Sequence, residues 1–146
     1  CLMNSRIFKG FVWQAKGAVA TARIRNNAGV YITQASLTSV IRNVYDLDNA
    51  GALVLGPTTL TVSSVVFDAL QNLGADLVFW TLNGERIDNL GWNFKDSVPA
   101  TAFPLGRKGL ILQRRYRLEY VFDPTSGEDF ALVYEMPARN LYSTAD

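Results

Sequence analysis

Histidine is absent from the 146 residues, and cysteine occurs once, as Cys1. Without histidine there is no Ser-His-Asp or Cys-His catalysis, no imidazole acid-base chemistry and no histidine-containing zinc site. A single cysteine forms no intrachain disulfide, which excludes a disulfide-stapled scaffold. Charge is sparse, at 18% of residues, and no apolar run approaches the ~20 residues that a membrane-spanning helix needs. The opening Cys1-Leu2-Met3-Asn4-Ser5-Arg6 lacks the apolar core of a signal peptide.

What is present is apolar and patterned. Hydrophobic residues make up 49% of the chain, enough for one domain to build a core without staples. The clearest pattern runs from Tyr116 to Met136, where Tyr116, Leu118, Tyr120 and Phe122 alternate with Arg117, Glu119 and Val121. The alternation resumes at Phe130, Leu132, Tyr134 and Met136 after the turn-rich Asp123-Pro124-Thr125-Ser126-Gly127-Glu128. This is the signature of a β-hairpin. Pairing Phe122 with Phe130 sets Tyr120 opposite Leu132, Leu118 opposite Tyr134 and Tyr116 opposite Met136, leaving Arg117 facing Glu135 on the reverse side. Each large side chain on the apolar face is worth roughly 1.5–3 kcal/mol when buried, so a second sheet must cover it.

Further strands are expected at Arg6–Trp13, Ala18–Arg25, Val30–Ile32, Leu37–Asp46, Ala52–Leu55, Thr59–Val62, Leu77–Leu82 and Gly91–Val98. Gly56-Pro57 separates the fifth from the sixth. Ser63-Ser64 caps a short expected helix carrying Val66, Leu70 and Leu73 on one face, Asn83-Gly84 signals a hairpin, and Pro137 ends the last strand. With strand signals at roughly 8–12-residue spacing, the expected fold is all-β, an antiparallel β-sandwich of Ig-like character with at most one short helix. It forms a single domain over residues 1–146. Residues 1–15 read as a docking arm or first strand, and residues 138–146 as a mobile polar tail.

Candidate chemistry fails on spacing. Asp46-Leu47-Asp48-Asn49-Ala50-Gly51 opens like an EF-hand loop, but Ala50 holds the fifth position and Pro57 the twelfth, where a bidentate Glu belongs. A hairpin turn is the better reading. Gly106-Arg107-Lys108-Gly109 lacks the spacing and the hydroxyl of a phosphate loop. Arg114-Arg115-Tyr116-Arg117 interleaves bases with an aromatic, yet Tyr116 belongs to the inward face and the chain is near neutral, so nucleic acid is not expected. Asp46, Asp48, Glu85, Asp88 and Asp96 offer carboxylates without a spacing that selects a pair, and most fall in expected turns. No catalytic residue, metal or cofactor is expected, and the chain reads as non-enzymatic.

Charge is unevenly distributed although the net is only +1. Residues 1–45 hold six bases and no acid, 46–106 seven acids and two bases, 107–117 five bases, and 118–146 six acids and one base. Complementary surfaces that dock copy to copy or onto a scaffold would explain this, as would an ordinary salt-bridged sheet surface. The candidate docking surface is Arg6, Lys9, Arg23 and Arg25.

Ile32-Thr33-Gln34-Ala35, Val44-Tyr45-Asp46-Leu47, Leu60 to Asp68, Gly91-Trp92-Asn93-Phe94 and Tyr116 to Phe122 together resemble small uncharacterised β-sandwich proteins encoded among the structural genes of tailed bacteriophages. The likeness spans about residues 30 to 136 and brings no catalytic residues to transfer. It implies a multicopy virion component such as a capsid decoration, neck or tail protein, assembled in the host bacterial cytoplasm. The implied partners are other virion proteins and copies of itself, with no membrane. The alternative is a carbohydrate-binding or adhesion module, which would expose a row of aromatics such as Trp80, Trp92 and Phe94. A small hydrolase would instead need a carboxylate pair in a cleft.

Overall fold

The computed structural model describes residues 7–9, 12–13, 15–26, 28–71, 80–82, 85–88, 91–105 and 114–139. The strands in chain order are β1 (Ile7–Lys9), β2 (Val12–Trp13), β3 (Ala18–Ala22), β4 (Leu37–Asp46), β5 (Ala52–Leu60), β6 (Val66–Gln71), β7 (Trp80–Leu82), β8 (Glu85–Asp88), β9 (Trp92–Val98), β10 (Arg114–Pro124) and β11 (Phe130–Arg139). One helical turn, α1 (Val62–Val65), precedes β6. The fold is all-β.

The hairpin of β10 and β11 adopts the register that pairs Phe122 with Phe130 and Tyr116 with Met136, one of those alternation allows, since a two-residue slip would keep the same faces. β4 pairs with the other edge of β10, and β5 pairs with β4. β1 and β2 run parallel to β11 in one continuous register, Ile7 opposite Val133 and Val12 opposite Ala138. This six-stranded sheet curls into a half-barrel. A second sheet, in the order β3-β9-β6, is antiparallel throughout, and β7 pairs with β8 as a separate ribbon. The Asn83-Gly84 turn between these last two lies outside the described residues, as do the expected strand positions Leu77 to Phe79.

Strand parity places the core. Tyr116, Leu118, Tyr120 and Phe122 of β10 are all within 1% of full burial and face Val66 and Phe94 of the second sheet in one apolar cluster. Phe94 meets Tyr120 and Phe122 edge to face, with ring centroids 4.8 and 5.3 Å apart, and so joins the two layers. Such pairs contribute about 0.5–1.5 kcal/mol each beyond the area they bury.

Several local expectations give way to tertiary pairing. The helix expected from Ser63 is reduced to α1, because the β-branched Val66 favours extended backbone and pairs with Phe94 in the sheet; Leu73 of that expectation lies outside the described residues. Gly56-Pro57 does not divide β5, which runs unbroken from Ala52 to Leu60. Gly56 has φ +125°, and a Cβ there would lie 2.7 Å from the Arg42 carbonyl oxygen, so β5 passes β4 at an irregular step that only glycine fits. Val30–Ile32 contributes a single bridge, Arg25 to Tyr31, instead of a strand. β11 continues through Pro137, opposite Arg115, to Arg139, leaving residues 140–146 of the expected tail outside the described residues.

Candidate functional site

Three polar constellations are built into this frame: one between the sheets and one at each end of them. Between the sheets, Arg42 of β4 is in phase with Val40 and Val44 and therefore points inward, only 7% exposed. Asp96 of β9 is in phase with Phe94 and Val98 and is 6% exposed. Arg42 Nη1 donates to Asp96 Oδ2 at 2.7 Å, and the Tyr120 hydroxyl donates to the same oxygen at 2.6 Å. The Tyr134 hydroxyl crosses the interior to the Thr21 carbonyl at 2.7 Å. Nearby, the Asn93 amide accepts from Ile24 N–H (2.7 Å) and donates to the Ile24 carbonyl (3.0 Å), holding the loop after β3 against β9. These bonds satisfy groups that would each cost about 1–3 kcal/mol if buried unpaired.

Burial, reinforced by the Asp96 charge, pushes the Tyr120 and Tyr134 hydroxyls far above the ordinary phenol range. Burial also raises Tyr116, partly opposed by its backbone hydrogen bond to Leu105. The native state therefore keeps phenolic protons that the unfolded chain releases above about pH 10, and stability must fall as pH rises beyond that value. Urea midpoints should stay level up to about pH 9 and drop above 10, with phenolate absorbance of these tyrosines appearing only on unfolding. A midpoint unchanged to pH 11 would contradict the assignment of these hydroxyls to the interior.

At one end of the sheets, the β4–β5 turn meets the start of β10. Asp46 Oδ2 accepts from Arg114 Nε and Nη2 at 2.8 and 2.6 Å, Asp48 Oδ2 accepts from Arg115 N–H at 2.6 Å, and Asp48 Oδ1 lies 3.5 Å from Arg115 Nη2. The Tyr116 hydroxyl accepts from Leu105 N–H (3.0 Å) and donates to its carbonyl (2.8 Å). The aspartates of the EF-hand-like segment thus serve a hairpin turn and its arginine neighbours. Among the described residues no group of three acidic, cysteine or histidine side chains is placed to hold a metal.

At the other end, the loop after β3 and the β10–β11 turn enclose a cleft of about 380 Å³. Buried Ile32 and Leu37 and half-buried Phe130 line it, with Ser126 and Glu128 exposed at its border. Thr125 N–H donates to the Ser36 carbonyl at 3.0 Å and ties the two loops together. Phe130 stacks on Phe122 at 5.0 Å and 11°.

The sequence candidates are dispersed. Arg6 lies outside the described residues, and Lys9 is in β1 on the larger sheet. Arg23 and Arg25 follow β3 of the smaller one; Arg23 donates to the Gly91 carbonyl at 3.4 Å, and Arg25 bonds the Tyr31 hydroxyl at 2.9 Å with its guanidinium 4.7 Å from the ring centre. Trp92 and Phe94 are core residues, 8% and 0% exposed, and form no surface platform. Asp96 stands in mid-strand, within the strand expected over Gly91–Val98, and its partner Arg42 was absent from the sequence candidates. The signal for both was present: each falls two residues from a buried apolar neighbour. No described helix is long and apolar enough to cross a membrane. Comparison of the chain with models of known protein families, with curated proteins and with solved structures yields no match.

Proposed function

We propose that this protein is a non-enzymatic structural component of a tailed-bacteriophage virion, present in many copies as a capsid decoration, neck or tail protein. The observation that carries the non-enzymatic part is where the buried polar groups spend their hydrogen bonds. Arg42, Asp46, Asn93, Asp96 and the hydroxyls of Tyr116, Tyr120 and Tyr134 are each bound to another group of the fold. These are ties between strands and loops made by groups buried in the fold, so their placement is accounted for without a substrate. The virion part rests on the resemblance of residues 30 to 136 to phage structural proteins.

The strand order supports an Ig-like sandwich of variable type. One layer runs β1/β2-β11-β10-β4-β5 with its first strand parallel to its last, and the other runs β3-β9-β6. Such a sandwich leaves loops at both ends for contact while the sheets hold them rigid. The basic residues Arg6, Lys9, Arg23 and Arg25 take part in docking, setting orientation while apolar contacts supply affinity.

Mass spectrometry of purified particles tests this reading. The protein should be present in many copies, and exchanging all four of these bases for Glu should strongly reduce incorporation, because the repulsion repeats at every copy. Equal incorporation would remove the charge argument. Absence of the wild-type protein from particles would remove the virion reading itself.

A further inference from the structure

The cleft between the loop after β3 and the β10–β11 turn is held in shape by hydrogen bonds of the fold itself. Asn26 Oδ1 accepts from the Ala28 and Val30 N–H groups at 2.9 and 3.1 Å and shapes one rim. Thr125 donates to the Ser36 carbonyl from its N–H at 3.0 Å and from its hydroxyl at 3.4 Å, which ties the opposite rim to the loop. The Phe130 ring stacks on fully buried Phe122, 5.0 Å away, so this wall of the cleft is anchored in the core. The volume of about 380 Å³ lies at the small end of the range for ligand pockets, roughly 300–1,000 Å³, and an apolar floor under a few polar groups is their usual make-up.

Charge selects the kind of ligand. Among the described residues that line the cleft, Glu128 is the one ionisable side chain, and Asp123 and Asp129 stand in the same turn. Among the described residues none of these three carboxylates takes part in an ion pair. Arg25, the residue before Asn26, is held on the hydroxyl and ring of Tyr31 and does not line the cleft. Desolvation, a hydrogen bond with Asp123 and the charges of Asp123 and Glu128 hold the Asp129 carboxyl above its usual range, so negative charge gathers in this turn without a counter-charge.

We propose that this cleft binds a small organic cation, an ammonium group on an apolar body, with the body against Ile32, Leu37 and Phe130 and the ammonium at the Glu128 carboxylate. The other ligand classes each fail on one of the two features. An anion would meet Glu128 as a like charge, and a neutral apolar ligand would cover the floor while taking water from that carboxylate without replacing it. A cation without an apolar body would gain only an exposed ion pair, which is weak by itself. An amphipathic cation uses both the floor and the rim. A free amine has this chemistry, and so does a lysine side chain of a neighbouring polypeptide, whose aliphatic stem lies on apolar surface while its ammonium stays at the rim.

The test is an amide NMR titration of the purified full chain with phenethylammonium, with its neutral isostere phenethyl alcohol, with phenylpropionate, and with lysine capped as its N-acetyl methylamide. Phenethylammonium should give saturable shifts, in the millimolar range, confined to the amides of residues 32–37 and 125–130. It should bind about two- to fivefold more tightly than the alcohol, the contribution of an exposed ion pair, and phenylpropionate should bind least. Glu128→Gln, an exchange at an exposed turn position, should remove the advantage of the amine and leave the affinity for the alcohol unchanged. Tighter binding of the capped lysine than of phenethylammonium would assign the cation to a partner chain, and the reverse order to a free amine; either supports the site. No saturable shift at the cleft amides, equal affinity for amine, alcohol and carboxylate, or an amine advantage that survives Glu128→Gln would each overturn it. The titration needs no particle, so its outcome and the virion reading stand or fall separately.

Discussion

Replacing Asp96 with Ala is expected to destabilise the fold by about 3–5 kcal/mol, because it strands a buried guanidinium without its counter-charge. Arg42 has little to fall back on. Its Nη1 donates to Asp96 Oδ2, while its buried Nε has no hydrogen-bond partner. The same substitution orphans the Tyr120 hydroxyl, which is fully buried and donates to that oxygen. Removing both charges together should behave differently. Arg42→Met combined with Asp96→Leu replaces the pair by apolar side chains of similar volume and should cost much less than Asp96→Ala, the remaining loss of about 1–3 kcal/mol being the orphaned Tyr120 hydroxyl. Urea unfolding of the two single variants and the double variant, analysed as a thermodynamic cycle, should return a coupling of more than about 2 kcal/mol. If Asp96→Ala costs less than about 1 kcal/mol, water is reaching the pair and the dry interior described here is wrong.

A loss of similar size, about 3–5 kcal/mol, is expected for Phe94→Ala, through a different mechanism. Phe94 is completely buried and is the ring of the smaller sheet that touches both Tyr120 and Phe122 of the larger one. Deleting it opens a cavity where the sheets meet, and the strands on either side are pinned by their own ladders and cannot close it. Because total stability is about 5–15 kcal/mol for a typical domain, the variant should melt far below the wild type or fail to fold at 37 °C. Phe94→Leu refills most of the volume and should recover the larger part of the loss. Thermal melting of the pair decides the matter: equal melting temperatures for the Ala and Leu variants would show that Phe94 does not fill the space between the layers.

The outcome element by element follows from the range of the forces involved. The inward face of the β10–β11 hairpin was legible because side chains alternate with period two and a one-residue slip would turn Tyr116, Leu118, Tyr120 and Phe122 to water, while the choice against a two-residue slip came from the fold. β4 was legible from Leu37 to Asp46 as an apolar strand, although both its faces read as buried and burial in the fold alternates, and the Asp46-to-Gly51 turn was legible from its residue chemistry. The stretch after Ser63 was misread as a helix because propensity over ten residues is a weak prior, and what settled it was Val66 lying against Phe94, 28 positions away.

Parity groups Arg42 with Val40 and Val44, and Asp96 with Phe94 and Val98, but with apolar residues on both faces of β4 it did not say which face turns inward. The sequence by itself determined the all-β class, the absence of histidine chemistry and that no intrachain disulfide forms. Only the tertiary structure decided that Arg42 and Tyr120 donate to one oxygen of Asp96 and that Arg114 and Arg115 of β10 pair with the aspartates of the β4–β5 turn. The physical reason is that each of these is a contact between strands from different sheets or distant turns, set by how the layers stack, and no local period in the chain encodes that distance.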